Sequence, residues 1–284
     1  MKLYKIETGF FLSDGGAVFG TVPKILWKNF YPADESNFCT MAMRSLLIHL
    51  EDKLVLVDTG VGNKHLDVMS DYGFRDIVRF ETELQKIGFS CNDVTDVVLT
   101  HLHFDHCGGC TLIDRNLALQ LTFPNALHWV SEAQWKNMLN PNLREENAYF
   151  IADLMPVFKQ EKLKLITKDE SLCKEIELRL FSGHTEGQIV PVIFDRDRTF
   201  VFAGDVIPTA ANVPLDWLSA YDVNQIEAIE GKRKLLEEAA AKKQILIFEH
   251  DAYTECATIR IREDFEIEEV MRMGVDNGRK YNNE

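Results

Sequence analysis

Short apolar runs that break on a carboxylate or an imidazole recur along this chain. Lys53 to Val57 leads into Asp58, and Asp96 to Thr100 into His101. Glu177 to Phe181 runs through Ser182-Gly183 into His184, Thr199 to Phe202 through Ala203-Gly204 into Asp205, and Gln244 to Phe248 into Glu249-His250. Runs this short, bounded by Gly and Asp, predict buried strands. Helical spacing appears between them. Ile77, Phe80, Leu84 and Ile87 predict a helix from Asp76 to Ile87, with Gly88 as its stop. Ser131-Glu-Ala-Gln134 fits a capping box opening a short helix through Leu139. Ile226, Ile229, Leu235, Leu236 and Ala239 are expected to face inward on a long helix from Val223 to Lys243. Thr258 to Ile267 alternates apolar and charged residues, the pattern of an edge hairpin. The polar tail from Asn277 is expected to fray. The whole predicts an α/β chain, residues 1–284 forming one domain, since no Pro-, Ser- or Gly-rich linker and no repeat interrupts it.

In layered α/β folds, ligands gather outside the strand ends, where loops converge. The densest chemistry sits at one such end, in His101-Leu-His103-Phe-Asp105-His106. Imidazole nitrogens and carboxylate oxygens suit zinc, iron or manganese. His101 and His103 point the same way on extended backbone, because side chains alternate there. Asp105 and His106 follow on a turn and face a second point. His101, His103 and His184 are therefore assigned to one metal, Asp105, His106 and His250 to a second, and Asp205 bridges. That donor set leaves open positions for water and substrate, as catalysis requires.

The order His-x-His-x-Asp-His, then Ser182-Gly183-His184-Thr185, Gly204-Asp205 and His250-Asp251, resembles the metallo-β-lactamase-fold hydrolases over nearly the whole chain. The spacings between the ligands resemble the quorum-quenching lactonase-like and methyl-parathion-hydrolase-like branch. So do Asp14-Gly-Gly-Ala-Val-Phe-Gly-Thr-Val-Pro-Lys24, Phe123-Pro-Asn-Ala126 and Asn140-Pro-Asn-Leu-Arg144. The resemblance implies a four-layer αβ/βα sandwich with a dinuclear site on one edge, a role for Asp58 beneath that site, and a turn at Gly108-Gly109 close under the metals. Asp58 reads equally as a carboxylate that orients a ligand histidine from behind or as a cap of its Gly-rich turn. Thr100 and Thr185 are weaker candidates for the same support. Lactonases of this fold carry a tyrosine three residues after the bridging Asp. Here Pro208 stands there, and Tyr221 is the candidate substitute. Fold alone does not give the substrate.

Composition narrows the partners. The formal net charge is −14, from 31 Lys+Arg against 45 Asp+Glu, which lacks the cationic footprint that holds nucleic-acid backbones. Lys232-Arg233-Lys234 is expected to be a solvated helix face. The first residues lack a signal peptide's apolar core, and no run approaches the ~20 apolar residues of a membrane span. Six scattered cysteines point to a reducing compartment, hence a cytoplasmic enzyme. Cys107-Gly-Gly-Cys110 is read as part of the ligand turn rather than a redox pair, and His49, His65 and His128 as structural or surface residues. The aromatic stretch Phe19, Trp27, Phe30 and Tyr31 is expected to form a pocket wall or a homodimer contact.

The expected activity is hydrolysis of a small ester or lactone, such as an acyl lactone, by metal-bound hydroxide. Two divalent ions, zinc with iron or manganese as alternatives, lower the pKa of water from about 15.7 to ~7. Asp105 is the candidate catalytic residue, holding the water and taking its proton. A phosphotriester or aryl-ester hydrolase is the alternative, and a mononuclear-iron oxygenase of the same fold a further one. The complete second donor set argues for two metals.

Overall fold

The computed structural model describes residues 1–273. The tail from Asn277 lies outside the described residues. Two sheets face one another. The first joins β1 (Lys2–Asp14), β2 (Phe38–His49), β3 (Leu54–Val57) and β4 (Asp96–Val98). After a small hairpin of β5 (Thr111–Ile113) and β6 (Leu119–Leu121), β7 (Leu127–Ser131) and β8 (Leu163–Ile166) complete it, in the order β1-β2-β3-β4-β7-β8. The second joins β9 (Glu170–Cys173), β10 (Ile176–Phe181), β11 (Gln188–Asp195), β12 (Arg198–Phe202), β13 (Ile245–Ile247), β14 (Cys256–Ile261) and β15 (Phe265–Met271) in sequential order. The helices are α1 (Gly15–Phe19), α2 (Lys24–Trp27), α3 (Phe80–Lys86), α4 (Phe104–Cys107), α5 (Glu132–Leu139), α6 (Ile151–Lys159) and α7 (Gln225–Lys242).

The apolar runs explain the layering. Leu46, Ile48, Val55, Val57 and Val98 from the first sheet pack on Ile176, Leu178, Ile189, Phe202 and Ile247 from the second. The opposite face of the first sheet, with Leu47, Leu56 and Val97, packs under Phe80, Leu84, Trp135, Leu154 and Val157 of the helices. The outer face of the second, with Val190, Val201 and Leu246, packs under Leu235, Leu236 and Ala239 of α7. The central strands β3, β4 and β13 are buried along their whole length, which is why these runs read as continuous apolar segments. The result is the expected four-layer αβ/βα sandwich. β3 runs parallel to β4, and β12 parallel to β13. Asp58, His101, Asp205 and His250 thus follow the carboxyl ends of parallel strands. The hairpin of β14 and β15 lies at the sheet edge, as its alternation predicts.

Four expectations are corrected. The helix predicted from Asp76 starts at Phe80, because Arg75 and Val78 are pinned by main-chain bonds to Phe10 and Thr8 of β1 and Asp76 takes φ 55°. Ile226 is 69% exposed, and the inward stripe of α7 is Ala228, Lys232, Leu235, Leu236 and Ala239. Lys232, expected in solvent, is 1% exposed. Phe19, Trp27 and Tyr31 pack together in the protein's own core. Among those four aromatics only Phe30 is exposed, beside Ile25 and Leu26.

Candidate metal centre

His101, His103, Asp105, His106, His184, Asp205 and His250 all converge on one edge of the sandwich. The chain leaves β4, makes the extended residues His101 to His103, and turns into α4, which carries Asp105 and His106. His101 Nε2 lies 3.0 Å from His103 Nδ1, and His184 Nε2 lies 3.3 Å from that same atom. His106 Nε2 faces His250 Nε2 at 3.1 Å, with the Asp105 oxygens 3.8 Å from His106 Nε2 and 3.7 Å from His250 Nε2. Asp205 spans the two groups: Oδ2 is 3.2 Å from His184 Nε2, and Oδ1 is 3.0 Å from His250 Nε2.

These contacts are those of donors around a cation. Neutral imidazoles do not gather lone pair to lone pair for their own sake, and buried polar atoms ordinarily find partners. Asp205 Oδ1 is buried without a properly aligned hydrogen bond. His101, His103 and His184 form one cluster able to hold a metal ion, and Asp105, His106 and His250 another. His101, His106 and Asp205 form a third grouping, overlapping both. The donor chemistry, imidazole with carboxylate, suits a divalent transition metal.

The electrostatics agree. Burial, then the crowding of His106, His103 and His184, push His101 well below the usual imidazole range. Burial opposes protonation of His250 too, but Asp205 outweighs it and lifts His250 to about 9. Burial would raise Asp205, yet His250, His184 and His106 hold its carboxyl well below the usual carboxylate range. A metal must displace protons from the raised imidazoles, so binding weakens in acid.

Each imidazole of the cluster is met by a polar group behind its ring: Thr100 Oγ1 lies 3.1 Å from His101 Nδ1, and the Ala42 carbonyl 2.8 Å from His250 Nδ1. Asp58, at φ 54°, turns back under the ligand turn. Its Oδ2 is 3.0 Å from His106 Nδ1, while Oδ1 accepts the Thr100 amide at 2.7 Å. Asp58 thus supports the His106 ring. Four supporting residues carry no local sequence signal. Glu145 Oε1 lies 3.1 Å from His103 Nε2 and accepts from Thr185 at 2.6 Å and Tyr149 at 2.6 Å. Asp222 Oδ1 lies 3.0 Å from His184 Nδ1. Glu249 Oε2 is 3.2 Å from His106 Nδ1, buried beside Asp58. Arg44 of β2 donates to the carbonyls of Phe248 and Asp251 on either side of His250. Such partners fix tautomer and ring orientation. Asn-Pro-Asn-Leu-Arg-Glu145 and Tyr221-Asp222 are the irregular acidic segments in which two of them could have been sought.

Gly108 and Gly109 press against the backbones of Val61 and Thr59, where a Cβ would collide. The thiols flanking this pair are buried, and burial pushes Cys110 up to about 12. Both cysteines are free. His49 packs on Phe89, His65 bonds Asp153 at 2.9 Å, and His128 is buried in β7. None joins the cluster.

A cavity opens over the donors. Phe11, Val18, Met41, Tyr72 and Phe104 form its apolar wall, and Asp105, His184, Asp205, Pro208, Arg144 and Tyr221 also line it. Tyr221 hydroxyl and Ser13 Oγ are 3.0 Å apart on the cavity rim.

Fold and site together define a class. Residues 44–250 match the metallo-beta-lactamase superfamily. The chain belongs to that superfamily, whose members bind divalent metals. It is 35% identical over 114 residues to a probable metallo-hydrolase of Mycobacterium tuberculosis, a match covering 37% of this chain and 34% of that protein. It is 24% identical over 181 residues to the human acyl-coenzyme A thioesterase MBLAC2, covering 61% of this chain and 60% of that one. The chain thus spans about a third to three-fifths of the curated relatives it matches. Among solved structures, a probable metal-dependent hydrolase from Staphylococcus aureus superimposes with a TM-score of 0.85 at 25% identity, over 95% of this chain and 98% of that one. AidC, a dizinc quorum-quenching lactonase, superimposes with a TM-score of 0.76 at 25% identity, over 95% of each chain.

Proposed function

We propose that this protein is a metal-dependent hydrolase that cleaves a small ester or lactone at a dinuclear centre. The observation that carries this reading is the position of Asp205, with one carboxylate oxygen beside His184 of one three-residue donor set and the other beside His250 of the second, beneath an apolar cavity. His101, His103 and His184 would hold one ion, Asp105, His106 and His250 the other, with Asp205 shared. Zinc is the proposed metal. Bound there, divalent ions supply Lewis acidity and bring the pKa of water from about 15.7 to ~7.

The chain's own groups do the rest. Asp105, on the cavity floor between His106 and His250, orients the attacking water and accepts its proton at Oδ. Phe11, Val18 and Met41 cover the acyl part and exclude bulk water. Glu145, Asp222 and Asp58 keep the imidazoles from turning. Tyr221, with its hydroxyl at the rim, is placed to donate to a substrate oxygen in the role that Pro208 cannot fill. The exposed Ile25, Leu26 and Phe30 are the proposed homodimer contact, and light scattering above the 32.6 kDa of one chain is the expected result.

Metal analysis is expected to give close to two equivalents per chain. A panel of lactones, oxoesters, thioesters and phosphotriesters on the zinc-loaded protein is expected to show its highest kcat/KM on a lactone or oxoester. The MBLAC2 likeness makes thioesters the second reading. Turnover confined to phosphotriesters, or a single iron per chain, would refute the proposal.

A further inference from the structure

A lysine is buried on the inward stripe of α7. Lys232 is 1% exposed, on the face that also presents Leu235, Leu236 and Ala239 to the second sheet. Among the described residues no carboxylate lies within ion-pair distance of its Nζ. Burial lowers the ammonium to about 7, outweighing the opposing charges of Asp222, Asp216 and Asp264. Burying an amine without an ion pair costs several kcal/mol, and an aliphatic residue would complete the stripe. The packing of α7 therefore does not account for a lysine here.

What Lys232 touches does account for it. Its Nζ donates to the Pro214 carbonyl at 2.6 Å and to the Trp217 carbonyl at 3.0 Å. Those carbonyls open the irregular stretch 213–222, which no strand or long helix holds. The Trp217 ring sits edge-on to Phe19 and Phe30. Ser219 Oγ and the Ala220 amide both bond the Ala17 carbonyl, at 3.1 and 2.8 Å. The Ser219 amide then donates to Asp222 Oδ2 at 3.0 Å, while Asp222 Oδ1 meets His184 Nδ1 at 3.0 Å. A continuous set of contacts runs from the lysine, through one loop, to a histidine of the donor cluster.

We propose that Lys232 is a positioning residue of the metal centre: by holding the Pro214 and Trp217 carbonyls it sets loop 213–222 so that Asp222 orients His184 toward the donor set and Tyr221 closes the cavity. The proposal rests on the reading of His184 as a metal donor. Removing the amine frees the loop, Asp222 loses its fixed distance to His184 Nδ1, and the imidazole gains freedom to rotate away from the other donors.

The test uses Zn²⁺ itself, titrated against a chromophoric chelator, on the full chain, on Lys232→Met and Asp222→Asn, and on the double variant. Asp222→Asn is expected to weaken zinc binding at the donor set that contains His184 about 10- to 100-fold, the usual cost of losing such a partner, and Lys232→Met about tenfold. On the Asp222→Asn background Lys232→Met is expected to cost less than about twofold, because both act through one path. Lys232→Arg, which keeps donors for the two carbonyls, is expected to stay within about threefold of the parent. Amide exchange at Ser219 is expected to quicken in Lys232→Met and not in Lys232→Arg. An equal cost of Lys232→Met on both backgrounds overturns the proposal, as does unchanged zinc affinity. A Lys232→Met chain that does not fold also overturns it, since the lysine would then support the core rather than the loop. Failure of the parent chain to bind zinc would instead overturn the metal reading of the site.

Discussion

Two buried lysines grip main-chain carbonyls beneath the site, and they differ in one respect. Lys64 reaches under the ligand turn, donating to the Gly108 carbonyl and to the Thr111 carbonyl at 2.6 Å. It also meets the fully buried Asp153 at 3.0 Å. Lys232 grips the far loop through the carbonyls of Pro214 and Trp217, with no carboxylate in ion-pair reach among the described residues. The turn from His101 to Cys110 carries donors in an almost rigid frame, braced by a compensated charge. Loop 213–222 carries only a support, Asp222, and a rim residue, Tyr221, braced by an uncompensated one. A compensated buried charge is costly to break, whereas an uncompensated one is costly to keep. Substitution should therefore cost far more stability at Lys64 than at Lys232.

Lys64→Met is expected to show the largest loss of stability. It leaves Asp153, whose Oδ2 has no partner among the described residues, with His65 as its remaining ion-pair neighbour there. Breaking a buried pair from one side costs on the order of 3–5 kcal/mol, and His65 places this case near the lower end. Urea unfolding would read it, and a loss below about 1 kcal/mol would erase the contrast between the two lysines.

Within the ligand turn, Asp105→Asn is expected to lower kcat by on the order of 10²–10³, the usual cost of one well-placed catalytic electrostatic group. The amide keeps the shape but neither carries the charge nor accepts the water's proton. Metal content is expected to fall toward one equivalent, while unfolding stability of the metal-free chain stays close to the parent's. An active Asp105→Asn variant with full metal would show that the turn only binds and does not take part in proton transfer.

The same division explains what could be read from the amino acids. The turn is local. Three histidines and an aspartate lie within six residues after a strand, so their types and spacing suffice to bring them together as one candidate site. His184, Asp205 and His250 were reachable because each follows an apolar run. The supports are not local. Glu145 meets His103 from an irregular segment, Asp222 meets His184 across a loop, and Arg44 crosses from β2 to the turn at His250. Nothing in their immediate neighbours distinguishes them from surface charges. Lys232 shows this most sharply, since Lys232-Arg233-Lys234 has the composition of a solvated face while the helix phase set by Ala228, Leu235 and Leu236 turns its first residue inward. Gln134 is a milder case. Ser131 caps α5 as the capping-box pattern predicts, by accepting the Gln134 amide at 3.1 Å. The Gln134 side chain, however, turns to the Leu102 amide and to Thr185, bracing the ligand turn instead of closing the box.

On the far loop, Asp222→Asn is expected to reduce zinc affinity by about 10- to 100-fold while leaving kcat at saturating zinc within about threefold, because it orients a donor and does not meet the substrate. A larger drop in kcat than in affinity would place Asp222 in the chemistry and end its assignment as a support.

The smallest effect at neutral pH is expected from Lys232→Met on folding stability itself. Removing the amine leaves two carbonyls short of a donor, at roughly 1–3 kcal/mol each if they stay dry. It also relieves the cost of a buried ammonium, of comparable size and opposite sign. The net change near pH 7 is expected to be under about 1 kcal/mol. The pH dependence separates the two parts. The folded lysine has its pKa lowered to about 7 by burial, whereas the unfolded one stays near 10.4. Between those values the unfolded chain binds the extra proton, so the parent gains stability as pH rises through that window and loses it as pH falls toward 7. Lys232→Met removes this slope. Its stability relative to the parent should therefore worsen steadily from pH 7 to pH 10, whatever the other side chains contribute to both proteins. Parallel stability curves over that range would mean that Lys232 keeps its proton in the fold, and the distinction between the two buried lysines would then have no thermodynamic basis.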